Sequence, residues 1–559
     1  MPLARKPFVV LHPPMNRQRQ LLLAISSGLL LGSSYALSQW LGEIMLVAYV
    51  PLLILFAEDS PEIGWSRRTW YAYGSLFLYH GLTNWWIASW QKQTDPYLFA
   101  TGIVLMVVHP LFLMLPFVAL SSIRKRLGPG WMIASFPVCL AAFEWIHGQT
   151  DLSYPWLTSG YSLVNSPMAQ IADIVGVYGL SFLVACVNSV IAWILLYRSP
   201  SMRRLVMHAA AALAVVALWA LAGSIRSRAH KPDTSAAKQV CRVALVQPNE
   251  NPWDKWTDSR MQLAVHLSLS DSSALAQSKP DLVVWSETAL PFIIRDPRHE
   301  LEWTALKTWV ARSQVNLLTG VADRVIYAVG QAPPSARTSR AGDAQYDVFN
   351  AAYLMSADTT AVQVHRKSML TPFAERLPFA DQLTFAMSWI EWGVGISAWG
   401  KGLSRSPLYV TRGRDTIMRI GPIICIESIY PEVSRDFVAN GANALCVITN
   451  DAWYNGTPGP RQHFDIARMR AIETRRPVLR CANSGITGLI SPDGSTAIEI
   501  KPMQSGVALA NVFPTDGVTL YVRIGDVIPK ACTALVVFLL ILARIPALQR
   551  ILPFRFTSQ

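Results

Sequence analysis

Eight apolar segments of near-spanning length set the first limit on what this chain can become. They lie near 21–38, 40–57, 70–90, 97–122, 131–147, 176–197 and 205–225, with an eighth near 527–548. A helix needs roughly 20 apolar residues to cross a bilayer, because each residue advances only about 1.5 Å and no backbone amide can stay unpaired in hydrocarbon. Apolar residues make up 52% of the chain and charged residues 15%, against roughly 25% charged in a soluble domain. Twenty tryptophans point the same way, since indole favours the membrane–water interface. The pattern predicts a membrane domain over 1–226 with about seven transmembrane helices. A non-membrane domain follows over 227–526, then a last transmembrane helix and cytoplasmic tail over 527–559.

The net charge of +13 sits largely in short loops between these segments. That distribution speaks for membrane topology and anionic lipid rather than nucleic acid. Arg5, Lys6, Arg17 and Arg19 precede the first segment, and Arg67 and Arg68 follow the second. Arg124, Lys125 and Arg126 follow the fourth, Arg198, Arg203 and Arg204 the sixth, and Arg544, Arg550 and Arg555 the eighth. The loops between are poorer, with Lys92 alone after the third and no Lys or Arg from Gln149 to Asn165. Positive loops stay inside, so both termini are expected in the cytoplasm and the 227–526 region on the outer face. The basic start resembles the head of a signal peptide, but the apolar stretch from Leu21 runs on into further spans, and no cleavage is expected. Seven scattered cysteines with no CxxC pair give no disulfide framework and no structural zinc site.

The outer region alternates short Val/Ile/Leu-rich runs with amphipathic stretches. Strands are predicted at 241–248, 281–287, 315–322, 417–428 and 444–450, and helices at 257–278, 298–313 and 460–475. Such alternation argues for a layered α/β domain. Residues 331–347 are rich in Pro, Ser, Ala and Gly and read as a loop insertion.

Three short stretches in the second half of the chain each end a strand-like run with a reactive side chain: VVWSETALP with Glu287, HRKSMLTPF with Lys367 and GPIICIESIYP with Cys425. Each residue alone has an ordinary reading. An isolated Cys is most often buried structure, a lone Glu a cap or salt bridge, and a Lys beside Arg366 a solvated charge. Together they form a set for acyl transfer through a thioester. Placed together in one cleft, Glu287 would take the thiol proton, Lys367 would favour the thiolate and donate to the oxyanion, and Cys425 would attack.

Taken in this order, the three motifs resemble the nitrilase superfamily with its Glu–Lys–Cys triad. The flanking residues narrow the resemblance to the apolipoprotein N-acyltransferase family. They are VALVQPN before Lys255 and Trp256, WSETALP, TPFAERLP with Glu375, CIES with Glu427, NDAWYNGTPGPRQH (450–463), ARMRAIETRRPVLRCANSG (467–485) and SPDG (491–494). In the membrane half FEWIHG, YPWLTSGYS and IVGVYGLSFL (143–184) are similar too. There are departures: Ile426 stands where the family usually has an aromatic residue, Asn455 where Gly is common, and the 331–347 insertion is longer than usual.

The resemblance implies a polytopic α-helical membrane domain carrying an external nitrilase-like αββα sandwich. It makes Glu287, Lys367 and Cys425 catalytic. Glu375 and Glu427 would orient Lys367 and the nucleophile or hold the acceptor amine. Trp256 would line the substrate entrance, although an interfacial anchor reading stays open. Asn450, Asp451 and Trp453 would shape the pocket floor, with Asp451 equally readable as a turn residue. Cys446 and Cys481 read as structural. His365 and His463 offer a Cys–His dyad that the Glu–Lys pair makes unnecessary. The implied reaction takes an acyl chain from a membrane phospholipid onto Cys425. From there the chain passes to the α-amino group of a diacylglyceryl-cysteine at an apolipoprotein N-terminus. No metal or cofactor is implied, and the expected setting is a monomer in a bacterial inner membrane with its catalytic domain in the periplasm. The rival readings are a membrane-tethered amidase with the same triad and a non-catalytic lipoprotein-binding protein.

Overall fold

The structure is a computed structural model and describes residues 15–58, 65–88, 96–197, 201–230, 240–254, 258–271, 279–339, 342, 344–357, 361–383 and 399–545. Among the described residues, six helical stretches are long and apolar enough to cross a membrane. They are Ser38–Ala57, Phe99–Leu127, Pro129–Gly148, Pro167–Leu196, Met202–Ala229 and Val527–Arg544. The other two expected spans are 20-residue helices, Arg17–Ala36 and Trp65–Asn84. They have the length but more polar side chains, among them Arg17, Arg19 and Gln20 in one and Arg67, Arg68 and His80 in the other. Ser38–Ala57 is a chain of short helical pieces that turns back along the first helix, where Ser27 donates to the Ala48 carbonyl at 2.6 Å.

The rest of the chain is a sandwich of two sheets. Its strands are β1 (Cys241–Gln247), β2 (Leu282–Trp285), β3 (Asn316–Ile326), β4 (Arg337–Thr338), β5 (Gln345–Met355), β6 (Gln363–Arg366), β7 (Leu408–Arg412), β8 (Asp415–Ile424), β9 (Ala444–Thr449), β10 (Val478–Ala482), β11 (Thr487–Ile490), β12 (Thr496–Ile500) and β13 (Gly506–Val512). One sheet runs β13-β1-β2-β3-β5-β4, with β6 also on β5; the other runs β12-β11-β10-β9-β8-β7. The centres are parallel, β1–β2–β3 and β8–β9–β10, which demands helical crossovers.

Alternation along each central strand explains the layers. Val243, Leu245, Leu282 and Val284 face Ile424, Cys446, Ile448 and Cys481 across the sandwich interior. Their neighbours Ala244, Val246, Val283 and Trp285 face the helices Ser259–Ser270 and Glu300–Ser313. On the second sheet, Ile423, Leu445 and Val447 face the helices Pro431–Ala439 and Gly459–Thr474. A strand apolar on both faces is a strand covered on both faces, and the result is the expected αββα order. The predicted helix at 257–278 is shorter, Ser259–Ser270, with 272–278 outside the described residues. The 331–347 stretch is not all loop. Its Arg337–Thr338 pairs antiparallel with Gln345–Tyr346, extending the β5 edge as a hairpin.

The second helical layer is fused to the membrane domain. One apolar cluster contains Phe437, Phe464 and Ile472 together with Leu31, Phe117 and Tyr178 of the membrane half. In Gly459–Thr474 all residues but Arg461 and Arg468 are buried. Polar contacts pin the joint: Glu473 accepts the Val177 N–H at 2.8 Å, Arg475 pairs with Asp173 at 2.9 Å and Tyr161 donates to the Ile429 carbonyl at 2.8 Å. Gly176 sits beside this joint at φ 67°, breaking the Ala172–Leu196 helix, and a Cβ there would lie 2.5 Å from the Tyr521 ring. Gly176→Ala should therefore cost ~1–3 kcal/mol from the backbone alone, with the steric clash added. A lowered thermal midpoint, regained in part by Tyr521→Ala in the same chain, is the expected result.

Candidate active site

Each of the three reactive side chains stands just beyond the end of a strand. Glu287 follows β2 in a turn that lies directly on β3. Gly320 makes this possible: its N–H donates to the Ser286 carbonyl at 3.2 Å and its carbonyl accepts from Leu290 at 3.1 Å. A Cβ at that position would lie 2.5 Å from the Thr288 nitrogen, so any other residue would push the Glu287 turn away. Lys367 follows β6, with its N–H on the Asn350 carbonyl at 2.8 Å. Cys425 follows β8 and opens the short turn Cys425–Ile429 at φ 52°, a left-handed conformation that non-glycine residues adopt uncommonly.

The structure brings the three together. Lys367 Nζ lies 2.9 Å from Glu375 and 3.3 Å from Glu287, all three side chains largely shielded from solvent. Asn350 Nδ2 bridges the same carboxylates, at 2.8 Å to Glu287 and 3.2 Å to Glu375. Glu287 also accepts the backbone N–H of Asn450 at 3.0 Å, and Glu375 the N–H and hydroxyl of Thr371 at 2.8 and 2.9 Å. Burial alone would discharge the ammonium, but the carboxylates of Glu375 and Glu287 outweigh it and hold the Lys367 pKa above its usual value. Burial alone would likewise raise Glu375, and Lys367 keeps it below the usual carboxylate range instead. The Cys425 thiol is pushed up by burial and by the Glu287 charge, more than Lys367 pulls it down. A resting thiol beside a charged lysine and a carboxylate is thus the stable state.

Glu427 has a different part. Fully buried, it accepts from the N–H of Ile424 at 2.8 Å, the N–H and hydroxyl of Ser368 at 2.6 and 2.7 Å, and the N–H of Met369 at 3.3 Å. One carboxylate therefore ties the end of β8 to the segment after Lys367. Burial works against its charge, yet His365, 3.4 Å away, and these N–H donors pull its pKa down to about 2. Asp451 lies 2.9 Å from His463 and 2.7 Å from Arg480. His463 Nε2 in turn reaches the Ser428 hydroxyl at 2.8 Å and the Cys425 carbonyl at 3.2 Å. Asp451 thus supports the elbow from behind. The two histidines contact Glu427 and the Cys425 carbonyl rather than the thiol. Asn450 reaches the site through its backbone, with its Oδ1 accepting from Asn483 at 2.9 Å. Trp453 is half-buried and packs edge-on against Trp253 at 5.0 Å. Trp256 lies outside the described residues. Cys446 and Cys481 are fully buried between the sheets.

Sequence reasoning missed Asn350 and Gly320. A glycine inside an apolar strand run is the signal that a backbone approaches closely there, and TGVA carried it. It also missed the aromatic cover from the membrane half. Tyr454 meets Trp86 edge-on at 4.6 Å, Trp156 lies 5.5 Å from His463, and both indoles donate to Gln462, at 3.2 and 2.9 Å. The Tyr430 hydroxyl joins Ser153 at 2.8 Å.

The raised thiol has a measurable consequence. Alkylation of Cys425 by iodoacetamide should have its pH midpoint well above the ~8.5 of an ordinary thiol. Glu287→Gln removes a charge that raises the thiol, so its inflection should move to lower pH; Lys367→Met should move it higher. Peptide mass spectrometry across a pH series reads all three.

Residues 242–516 match the carbon-nitrogen hydrolase family, and residues 27–190 match the apolipoprotein N-acyltransferase N-terminal domain. An apolipoprotein N-acyltransferase from Chlorobaculum tepidum is 33% identical over 94% of this chain and 96% of its own length. One from Geobacter metallireducens is 30% identical over 92% and 94%. Among solved structures, an amidase of the nitrilase superfamily from Nesterenkonia is 14% identical over 51% of this chain and 93% of its own, with a TM-score of 0.35. With both halves matched and relatives aligned almost end to end, this chain belongs to the apolipoprotein N-acyltransferase family.

Proposed function

We propose that this membrane protein transfers an acyl chain from a phospholipid, through a thioester on Cys425, to the α-amino group of a diacylglyceryl-cysteine at an apolipoprotein N-terminus. The observation that carries the reading is the Lys367 ammonium held between Glu287 and Glu375, beside a thiol on a left-handed elbow. Glu287 accepts the thiol proton as sulfur attacks the ester carbonyl. The C–S bond forms, and Lys367 stabilises the oxyanion. The C–O bond then breaks, and the lysophospholipid leaves with the proton from Glu287. In the second half the amine attacks the thioester, a C–N bond replaces the C–S bond, and Glu287 carries the amine proton to the departing thiolate.

Glu375 holds Lys367 and Glu427 holds the elbow, so both are positioning residues. Asn450 anchors Glu287, and Asp451 the turn behind the thiol. The tryptophans of the membrane half shield the site from water, which a thioester needs if an amine is to be its acceptor. The loop charges support an orientation with the catalytic domain on the outer side; the setting proposed is a bacterial inner membrane with that domain in the periplasm and the chain acting as a monomer.

The test is to incubate purified protein with phospholipid and examine it by mass spectrometry. Expected are lysophospholipid and an acyl adduct on Cys425 that an apolipoprotein peptide discharges. Cys425→Ala should give no adduct, and Glu287→Gln and Lys367→Met should each slow acylation by at least ~100-fold, the scale of losing a general base or an oxyanion donor. Cys446→Ala should retain most activity. Ammonia release from small amides without an acyl-enzyme would favour an amidase instead, and full loss in a well-folded Cys446→Ala variant would move the nucleophile.

A further inference from the structure

A second polar site lies where the membrane half meets the sandwich. A cleft of about 590 Å³ opens between the end of the helix Met202–Ala229 and the segment 513–520. Its lining includes the guanidiniums of Arg226, Arg475 and Arg476 against the single carboxylate of Asp173, a net of +2. Arg475 and Arg226 share Asp173, at 2.9 and 3.1 Å. Arg476 is 2% exposed and, among the described residues, has backbone carbonyls and a threonine hydroxyl as partners rather than a carboxylate. Asp516, the nearest acidic influence on it, is engaged by Arg419. Burial pulls the Arg476 pKa down to about 10. A buried cation without an anion is costly, and an incoming anion relieves that cost.

The rim is apolar. Val518 and Leu520 are 38% and 48% exposed beside the basic floor. The apolar helix that forms one wall is almost unburied among the described residues, as a lipid-facing helix would be. A basic floor under an apolar lip, next to a lipid-facing helix, matches a phospholipid, with its phosphate below and its glycerol and first methylenes above.

We propose that this cleft binds the phosphate of an anionic phospholipid, at a site separate from the Cys425 centre. None of its lining residues belongs to the catalytic cluster. The lipid would tie the lone outer helix to the sandwich through Arg226 and complete the charge of Arg476. The inference rests on the membrane reading of the chain and not on the acyl-transfer chemistry.

The test uses the full chain with Cys425→Ala, so that lipid is not consumed. Delipidated protein in detergent is titrated with phosphatidylglycerol or phosphatidylcholine, and bound lipid is counted by native mass spectrometry. Phosphatidylglycerol should bind at least ~10-fold more tightly, as expected for a net basic site at a lipid surface. Two variants break the same Arg226–Asp173 pair but change the charge in opposite directions. Arg226→Gln should weaken phosphatidylglycerol binding about fivefold and Asp173→Asn should strengthen it about fivefold. A purely structural pair would move both variants the same way, and that outcome, or equal binding of the two lipids, overturns the proposal. A third arm adds inorganic phosphate: if it protects against thermal unfolding as well as phosphatidylglycerol does, the ligand is a soluble anion and the lipid assignment falls. Should Cys425 of the wild-type chain form its acyl adduct while these variants leave lipid binding unchanged, the cleft alone is refuted.

Discussion

The ammonium of Lys367 is the interaction on which the catalytic half depends. Taking such a charge out of water costs several kcal/mol, and two carboxylates at 2.9 and 3.3 Å offset that cost. Each carboxylate is itself satisfied, Glu287 by Asn350 and Asn450 and Glu375 by Thr371 and Asn350. One cation thereby fixes three backbone segments: the turn after β2, the end of β6 and the 371–375 turn. In the proposed reaction the same arrangement would decide where the thiol proton goes. Releasing it to solvent would add a second uncompensated negative charge to a buried cluster. Passing it to Glu287 would leave the cluster's charge unchanged, so a raised thiol pKa is compatible with the thiolate nucleophile proposed above.

Glu427 carries the other constraint. It never meets Lys367 in the hydrogen-bond network. It collects N–H groups from both flanks of the site, Ile424 on one and Ser368 and Met369 on the other. Those donors point at a fully buried carboxylate, so the elbow and the lysine segment cannot drift apart without leaving an ion unsolvated. The left-handed Cys425 is held from below by Glu427 and from behind by His463 on its carbonyl. Ile426, the departure from the family's aromatic, points into the apolar cluster shared with the membrane helices. Its substitution therefore bears on packing at the joint and leaves the charge network intact.

Much of this was legible from the chain because the physics is local. Strands apolar on both faces announce two covered sheets, and Glu287 and Cys425 each follow an apolar run where a parallel sheet presents its carboxyl ends, while Lys367 follows the antiparallel edge strand β6. The segments read as apolar near 21–38 and 70–90 are helices, Arg17–Ala36 and Trp65–Asn84, but their mixed composition leaves them outside the six described stretches apolar enough to cross a membrane. What stayed hidden was contact between distant segments. Asn350 sits inside β5, close behind a stretch read as loop, and its role appears only when β5 lies beside β6 and β3. Trp86 and Gln462 are 376 positions apart, and neither carries a motif that names the other. Gly320 was the exception, a visible signal left unread.

The pairing of Gln462 with two indoles bears on why half the chain is membrane. A tether would need one span and would leave the outer face of the helix Gly459–Thr474 in water, with a polar stripe to match. That helix instead buries everything but two arginines, and its Phe464 and Ile472 belong to the same core as Phe117 and Tyr178. His463, which supports the nucleophile's carbonyl, lies on this helix and stacks near Trp156 of the membrane half. The membrane domain is therefore structural to the elbow itself: loosening it would expose the helix, free His463 and open the thiol to water. Anchoring, sealing and aligning the nucleophile are three effects of one packed surface.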